Sequence, residues 1–505
     1  MSRIKNYVVA LGSSYLAIGA NIVYTLVSVP LALRYLANSE FGLWGLTLQI
    51  CGYVALIDFG MAGVSRILID YKDAKDGPSY GGVIQTSVAV SIAQAVLICV
   101  IGSVCAFLLL PVVRVPPSLQ EEFVWLLIGQ SGLLALTFVT RIFTYLLSAH
   151  QRQDILNYSQ VGLFLANIGV LWLCFKRGFG VYSVLYAQLA GWVFATIVAF
   201  AACYKLRLFP QRGKWGKPTW NKFSEIFAYG RDIFLFVLGS QLIHASQIIL
   251  ITRELGLNAA AIWVICTRSF TVVSQLVYRI FDTSCPALAE MIVRGERGQL
   301  LHRFRSIVVI SASAAVLAGT VFAVANQPFV FVWTDGKAVW SVANDALLAI
   351  WLVVTASARC HAGLVGQTKA FGFLRYLYLF EGIWFASWSV ILLRHGGIVA
   401  MLLAAISGTL LFSLPYGTWR TFRYFNVRWR DMVWRWSWPS LRFALAMLLI
   451  ALVVWRFTRP MGNIEKLLAS SAVLAAAGVP LFFYLGLDAE LRNEMRTRFL
   501  AKFRK

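Results

Sequence analysis

Charge is scarce in this chain. Only 13% of its 505 residues are Asp, Glu, Lys or Arg, and the 22 acids are outnumbered by 45 bases. A soluble globule of this length needs far more polar surface to cover its core, so that class is excluded. Catalytic signatures are missing too: there is no H-E-x-x-H, no G-x-x-x-x-G-K-[ST] and no G-x-S-x-G. One kinase-like triplet, Asp58-Phe59-Gly60, has no glycine-rich phosphate loop, V-A-I-K lysine or H-R-D loop to go with it, and it lies in an apolar run. It is not a magnesium site of the kinase type. Cysteine is limited to eight positions (Cys51, Cys99, Cys105, Cys174, Cys203, Cys266, Cys285 and Cys360), none in C-x-x-C spacing. All fall in or beside apolar segments, where they read as small buried hydrophobes rather than disulfide or metal partners.

What the chain has instead is apolar length. Hydrophobic residues make up 59% of it, and mean hydropathy is +0.72. Runs of about 20 apolar residues, the length that spans a bilayer, recur from end to end, as expected of an all-α polytopic membrane protein. The basic start and apolar continuation of "MSRIKNYVVALGSSYLAIGAN" read as an uncleaved first span, because a signal peptide has a shorter apolar core. Fourteen spans are expected. The first six are Leu11–Leu36, Phe41–Ile69, Gly82–Leu110, Leu119–Leu147, Asp154–Phe175 and Phe179–Tyr204. Six more follow at Arg231–Glu254, Ala259–Cys285, Arg305–Asn326, Trp340–Val365, Phe371–Leu393 and Gly396–Arg423, and the last two at Trp438–Phe457 and Ile464–Gly486.

With span ends counted among their loops, 29 of the 45 lysines and arginines lie on the side of the termini and 10 on the other. The inside-positive rule then places both termini in the cytoplasm. The net charge of +23 reflects this topology and attraction to anionic lipid. Tryptophan-bearing basic stretches such as Lys205–Lys217 and Arg428–Trp436 read as interfacial anchors, not as a nucleic-acid footprint.

A shift of 217 to 219 residues lays the first six spans on the next six. Trp44 then falls on Trp263, Arg141 on Arg359, and Gly180, Val181 and Gly191 on Gly397, Ile398 and Gly408. An even-span offset keeps both halves in one orientation, which defines a parallel repeat of the transporter kind. The expected domains are a six-helix lobe at 1–204, a basic cytoplasmic linker at 205–230 and a second six-helix lobe at 231–425. Residues 426–505 add two helices and a basic cytoplasmic tail.

Six arginines lie inside spans: Arg66, Arg141, Arg231, Arg268, Arg279 and Arg359. Facing lipid, they would cost about 3 kcal/mol each, on the order of 18 kcal/mol together. That exceeds the roughly 5–15 kcal/mol of a typical fold, so some must snorkel and the rest must meet water or partners. Arg231 adjoins Asp232, a local pair at a span start, and Arg66 falls at the inner end of its span. Arg141 and Arg359, related by the repeat, suit either a phosphate clamp, through the paired donors of guanidinium, or a structural pair. Arg268 and Arg279 lie eleven residues apart on one helix face. Among the acids inside spans, Asp282 is three residues from Arg279 and reads as its helix partner. Glu381, with Asp58 and Asp282, is a candidate for coupling to a proton or sodium ion, a structural hydrogen bond being the other account. No cofactor or bound metal is expected. His244 and His361 read as packing histidines, with proton relay as the other account.

The stretch "YLANSEFGLWGLTLQICGYVALIDFGMAGVSRILI", Tyr35–Ile69, resembles the second-span signature of polysaccharide flippases of the MATE-like MOP superfamily. The matching positions are Glu40-Phe41-Gly42-Leu43-Trp44 and Asp58-Phe59-Gly60. The resemblance implies a MATE-like fold in the bacterial inner membrane. It also implies outward movement of an undecaprenyl-diphosphate-linked oligosaccharide, usually an O-antigen or exopolysaccharide unit, with polymerase and glycosyltransferases as partners. The related lipid II flippases place cavity arginines on their first, second and eighth spans, which here carry Arg34, Arg66 and Arg268. An inside-negative potential would assist export of a doubly negative headgroup by roughly 4.6 kcal/mol per 100 mV. A drug or metabolite exporter of the same fold is the nearest rival. Its MATE relatives carry a first-span aspartate, and Leu11–Leu36 has no acid. A glycan polymerase or glycosyltransferase is a more distant alternative. The outer loop 111–118 offers one arginine and no acid for catalysis.

Overall fold

The computed structural model describes residues 3–58, 61, 64–71, 78–150, 152–211, 213–368, 372–494 and 497. Among these there are helices and no strands. The helices of the first half are α1 Arg3–Tyr35, α2 Asn38–Val54, α3 Val64–Tyr71, α4 Pro78–Leu108, the short α5 Leu110–Val113, α6 Gln120–Ala149, α7 Gln153–Lys176 and α8 Tyr182–Lys205. Then come α9 Trp220–His244, α10 Ser246–Leu255, α11 Leu257–Asp282, α12 Cys285–Arg294, α13 Arg297–Trp333 and α14 Val342–Gln367. The last four are α15 Leu374–Leu411, α16 Ser413–Phe425, α17 Trp429–Thr458 and α18 Asn463–Leu481. The chain forms two compact units, Met1–Ala261 and Ile262–Lys505, that divide within α11.

Twelve stretches among the described residues are long and apolar enough to cross a bilayer, which makes this a multi-pass membrane protein. They differ from the expected fourteen at two places. The expected eleventh and twelfth spans form one stretch, Leu374–Phe425, bent where Gly397 adopts φ 57° and ψ −151°. Only glycine takes that conformation freely. The expected seventh span consists of α9 and α10, which meet at Ala245, and neither is among the twelve. Lys222, Glu225, Arg231 and Asp232 dilute the apolar content of α9, and α10 has only 10 residues.

In the first unit, α3, α4, α6 and α8 enclose a core of Val64, Leu68, Tyr80, Ile84, Leu146 and Cys203. The basic linker is fastened beneath it. Tyr80 donates to the Leu208 carbonyl at 2.9 Å, the Thr219 amide to Thr86 Oγ1 at 3.2 Å, and Lys222 to the Tyr71 hydroxyl. Gly42 of the flippase-like signature lies where α2 crosses the start of α11. A Cβ at that position would run into the Leu257 carbonyl.

In the second unit, α17 and α18 pack on α13 through Val316, Phe443, Met447 and Leu474. The segment after α18 is tied to the same helix by Arg303–Glu494 (2.7 Å) and Arg305–Asp488. The tail therefore begins acidic before it turns basic. His361 is a packing residue, as expected: it is buried, bonded to Thr421 Oγ1 at 3.0 Å and stacked on Trp436.

Candidate functional site: an aspartate–arginine pair at each broken helix

The second span is not one continuous helix. α2 stops at Val54, a tight turn runs over Ala55–Asp58, and the chain becomes helical again at Val64. Breaking a helix at membrane depth frees carbonyls that lipid cannot satisfy. Gln94 of α4 meets that need, its Nε2 donating to the carbonyls of Ile57 at 2.8 Å and Asp58 at 3.0 Å. The Gln94 side-chain oxygen accepts from Arg141 Nη2, whose Nη1 in turn binds the Asp58 carboxylate. Arg141 Nε donates to Ser91 Oγ at 3.4 Å, and its guanidinium carbon lies 4.3 Å from the Phe138 ring centre. All three guanidinium nitrogens are thus engaged, and the side chain is only 11% exposed. Asp58 closes the tight turn that interrupts the span, and Phe59, Gly60 and Gly63 lie outside the described residues.

The second unit repeats the arrangement. α11 ends at Asp282 and α12 begins at Cys285. Here hydroxyls occupy carbonyls of the last turn: Thr283 Oγ1 binds the Arg279 carbonyl at 2.8 Å and Ser284 Oγ that of Ile280 at 2.9 Å. Asp282 pairs with Arg359 of α14, which donates from Nη2 to both carboxylate oxygens at 3.0 Å. The expected Arg279–Asp282 helix pair is absent among the described residues. A bidentate guanidinium across the helix break wins over a flexible neighbour one turn back. Tyr278 lies 5.0 Å beneath the Arg359 guanidinium, its hydroxyl held by Thr355 Oγ1 at 2.9 Å. Arg359 is 47% and Asp282 38% exposed, so this pair is the more open of the two.

The remaining candidates are more scattered. Arg268 is half-buried and Arg279 exposed on α11. Arg66 lies on α3 and Arg231 on α9, with both side chains outside the described ones. Glu381 of α15 is buried and accepts from Thr409 Oγ1 at 2.7 Å, the structural hydrogen bond named as its alternative.

Gln94 and Ser91 escaped the sequence reading because neutral side chains in an apolar run carry no charge signal. Asp345 escaped it for a different reason: it stands in the first turn of a span, where a carboxylate suits the helix dipole. It is buried and accepts from Asn326 Nδ2 at 2.7 Å and Trp340 Nε1 at 2.8 Å.

Solved structures share this architecture. The lipid II flippase MurJ in its inward closed conformation aligns over 95% of this chain and 99% of its own, with TM-score 0.67 and 11% identity. An inward-facing multidrug resistance MATE family transporter of the MOP superfamily aligns over 79% of this chain and 94% of its own, with TM-score 0.62 and 16% identity. The fold is therefore MATE-like. None of the curated proteins matches by sequence. A family profile described as "Polysaccharide biosynthesis protein" matches residues 9–292, more than half the chain. The chain belongs to that polysaccharide biosynthesis family.

Proposed function

We propose that this protein is a flippase. It would carry a polyprenyl-diphosphate-linked oligosaccharide from the cytoplasmic to the periplasmic leaflet of the bacterial inner membrane, for O-antigen or exopolysaccharide assembly. The observation that carries this reading is an excess of guanidinium over carboxylate inside the spans of a polysaccharide biosynthesis protein with a MATE-like fold. A diphosphate headgroup is the anionic part of such a cargo, and arginine matches its oxygens with fixed paired donors.

Both termini are cytoplasmic in this reading. The lobes 1–204 and 231–425, joined by the linker 205–230, would alternate access, with 426–505 appended to the second. The headgroup would meet Arg66, Arg268, Arg279 and Arg359, while Arg141, expected beside them, stays bound to Asp58 and Gln94. Glu381, Asp58 and Asp282 would be the acids available to a coupling cation. An apolar groove of about 700 Å³ between α11, α13 and α18 would seat part of an isoprenoid chain. Its polar lining is confined to Ser269 and Asn326. The protein would have no catalytic step of its own; the polymerase and glycosyltransferases would act before and after it.

Deletion of the gene tests the reading. The expected result is loss of surface polysaccharide with lipid-linked units accumulating on the cytoplasmic face. Normal polymer in the deletion strain, with a new sensitivity to cationic drugs, would favour an exporter instead.

A further inference from the structure

The two aspartate–arginine pairs are alike in topology but differ in how much of the arginine is free. In the first unit every guanidinium nitrogen of Arg141 has a partner, and the side chain is 11% exposed. Opening that pair would strand Asp58 and Gln94 together, which is costly in a buried setting. In the second unit the bonds of Arg359 use Nε and Nη2 and, among the described residues, leave Nη1 without one, and both partners are well exposed. An open pair of this kind is held weakly. Arg279 stands three residues before Asp282 on the same helix face, exposed and with no ion pair among the described residues. A second cation therefore stands one helical turn from the carboxylate that Arg359 holds. Tyr278, anchored by Thr355, backs the Arg359 guanidinium and would keep its plane fixed if the carboxylate left.

We infer that Asp282–Arg359 is an anion-exchange point. A diphosphate displaces the Asp282 carboxylate from Arg359 and takes Arg279 as its second cation, while Arg141 stays locked as a strut of the first unit. Asp282 then acts as an internal competitor: it holds Arg359 in place when no cargo is present and sets how readily cargo leaves. The identity of the anion rests on the flippase reading; the exchange itself rests on the geometry of the second unit.

The test is titration of the full-length protein in phosphatidylcholine nanodiscs with undecaprenyl diphosphate and, separately, with inorganic pyrophosphate. Melting curves verify that each variant is folded. Removing the competitor in Asp282→Asn should tighten binding of both probes by about threefold or more, and Arg359→Gln should weaken it by about tenfold. In the double variant the gain from Asp282→Asn should vanish, because there is no guanidinium left to release. Arg394→Gln, just before the Gly397 bend of α15, should bind as the unaltered protein does. Unchanged or weaker binding in Asp282→Asn, when the unaltered protein binds, would overturn the exchange and leave the flippase reading standing. Binding of pyrophosphate but not of the lipid would keep the exchange and remove the lipid cargo. Binding of neither probe would remove both.

Discussion

At the scale of single residues, the two paired intramembrane arginines differ in how firmly they are held. Arg141 is a strut, and Arg141→Ala would leave Asp58 with no cation and the Gln94 oxygen with no donor among the described residues. Loss of one partner from a largely buried pair costs about 3 kcal/mol, so the purified variant should melt well below the unaltered protein. Gln94→Leu removes the donor for two carbonyls at the helix break and should cost about 1–3 kcal/mol. A melting temperature equal to that of the unaltered protein in either variant would mean that water satisfies the break. These residues were legible to different degrees. Asp58, Arg141, Asp282 and Arg359 stood out in the sequence as charges in apolar runs. That they pair did not, because 83 residues separate the first two and 77 the second two. The repeat conceals the equivalence as well: the arginines are 218 apart and the aspartates 224, so no single shift superimposes both.

At the scale of elements, the apolar periodicity located nearly every helix, and its failures have physical causes. The break in the second span is built from Gln94, a residue on another helix, and so left no trace in the span's own composition. The bend at Gly397 joins two expected spans into one stretch because a single glycine makes the turn without a polar loop. Gly42 fixes the crossing of α2 with the start of α11, where there is no room for a side chain. Gly42→Leu should therefore reduce the yield of folded protein sharply, as overpacking at helix crossings costs about 1–3 kcal/mol or more. A normal gel-filtration profile and melting temperature would show that the crossing can relax. The tail behaves as a clasp on α13 through Arg303, Arg305, Asp488 and Glu494. Truncation after Leu487 should release it, with protease cleavage between α17 and α18 as the readout and no added cleavage as the contrary result.

At the scale of the whole molecule, the proposed function is the movement of an anion through a membrane by a MATE-like fold whose spans carry more guanidinium than carboxylate. The direction follows from the sign of the charge. Two negative charges leaving an inside-negative cell gain roughly 4.6 kcal/mol per 100 mV. An outward flux should therefore rise with an imposed inside-negative potential and fall when the potential is reversed. The most direct measurement is transport of a fluorescent undecaprenyl-diphosphate oligosaccharide by the full-length protein in sealed vesicles, read as the fraction of sugar newly accessible to an impermeant reagent in the opposite leaflet. The account predicts protein-dependent translocation that the potential accelerates and Arg359→Gln abolishes. Protein-free vesicles that translocate equally fast, or a folded protein that leaves the sugar on the side where it was loaded, would contradict it.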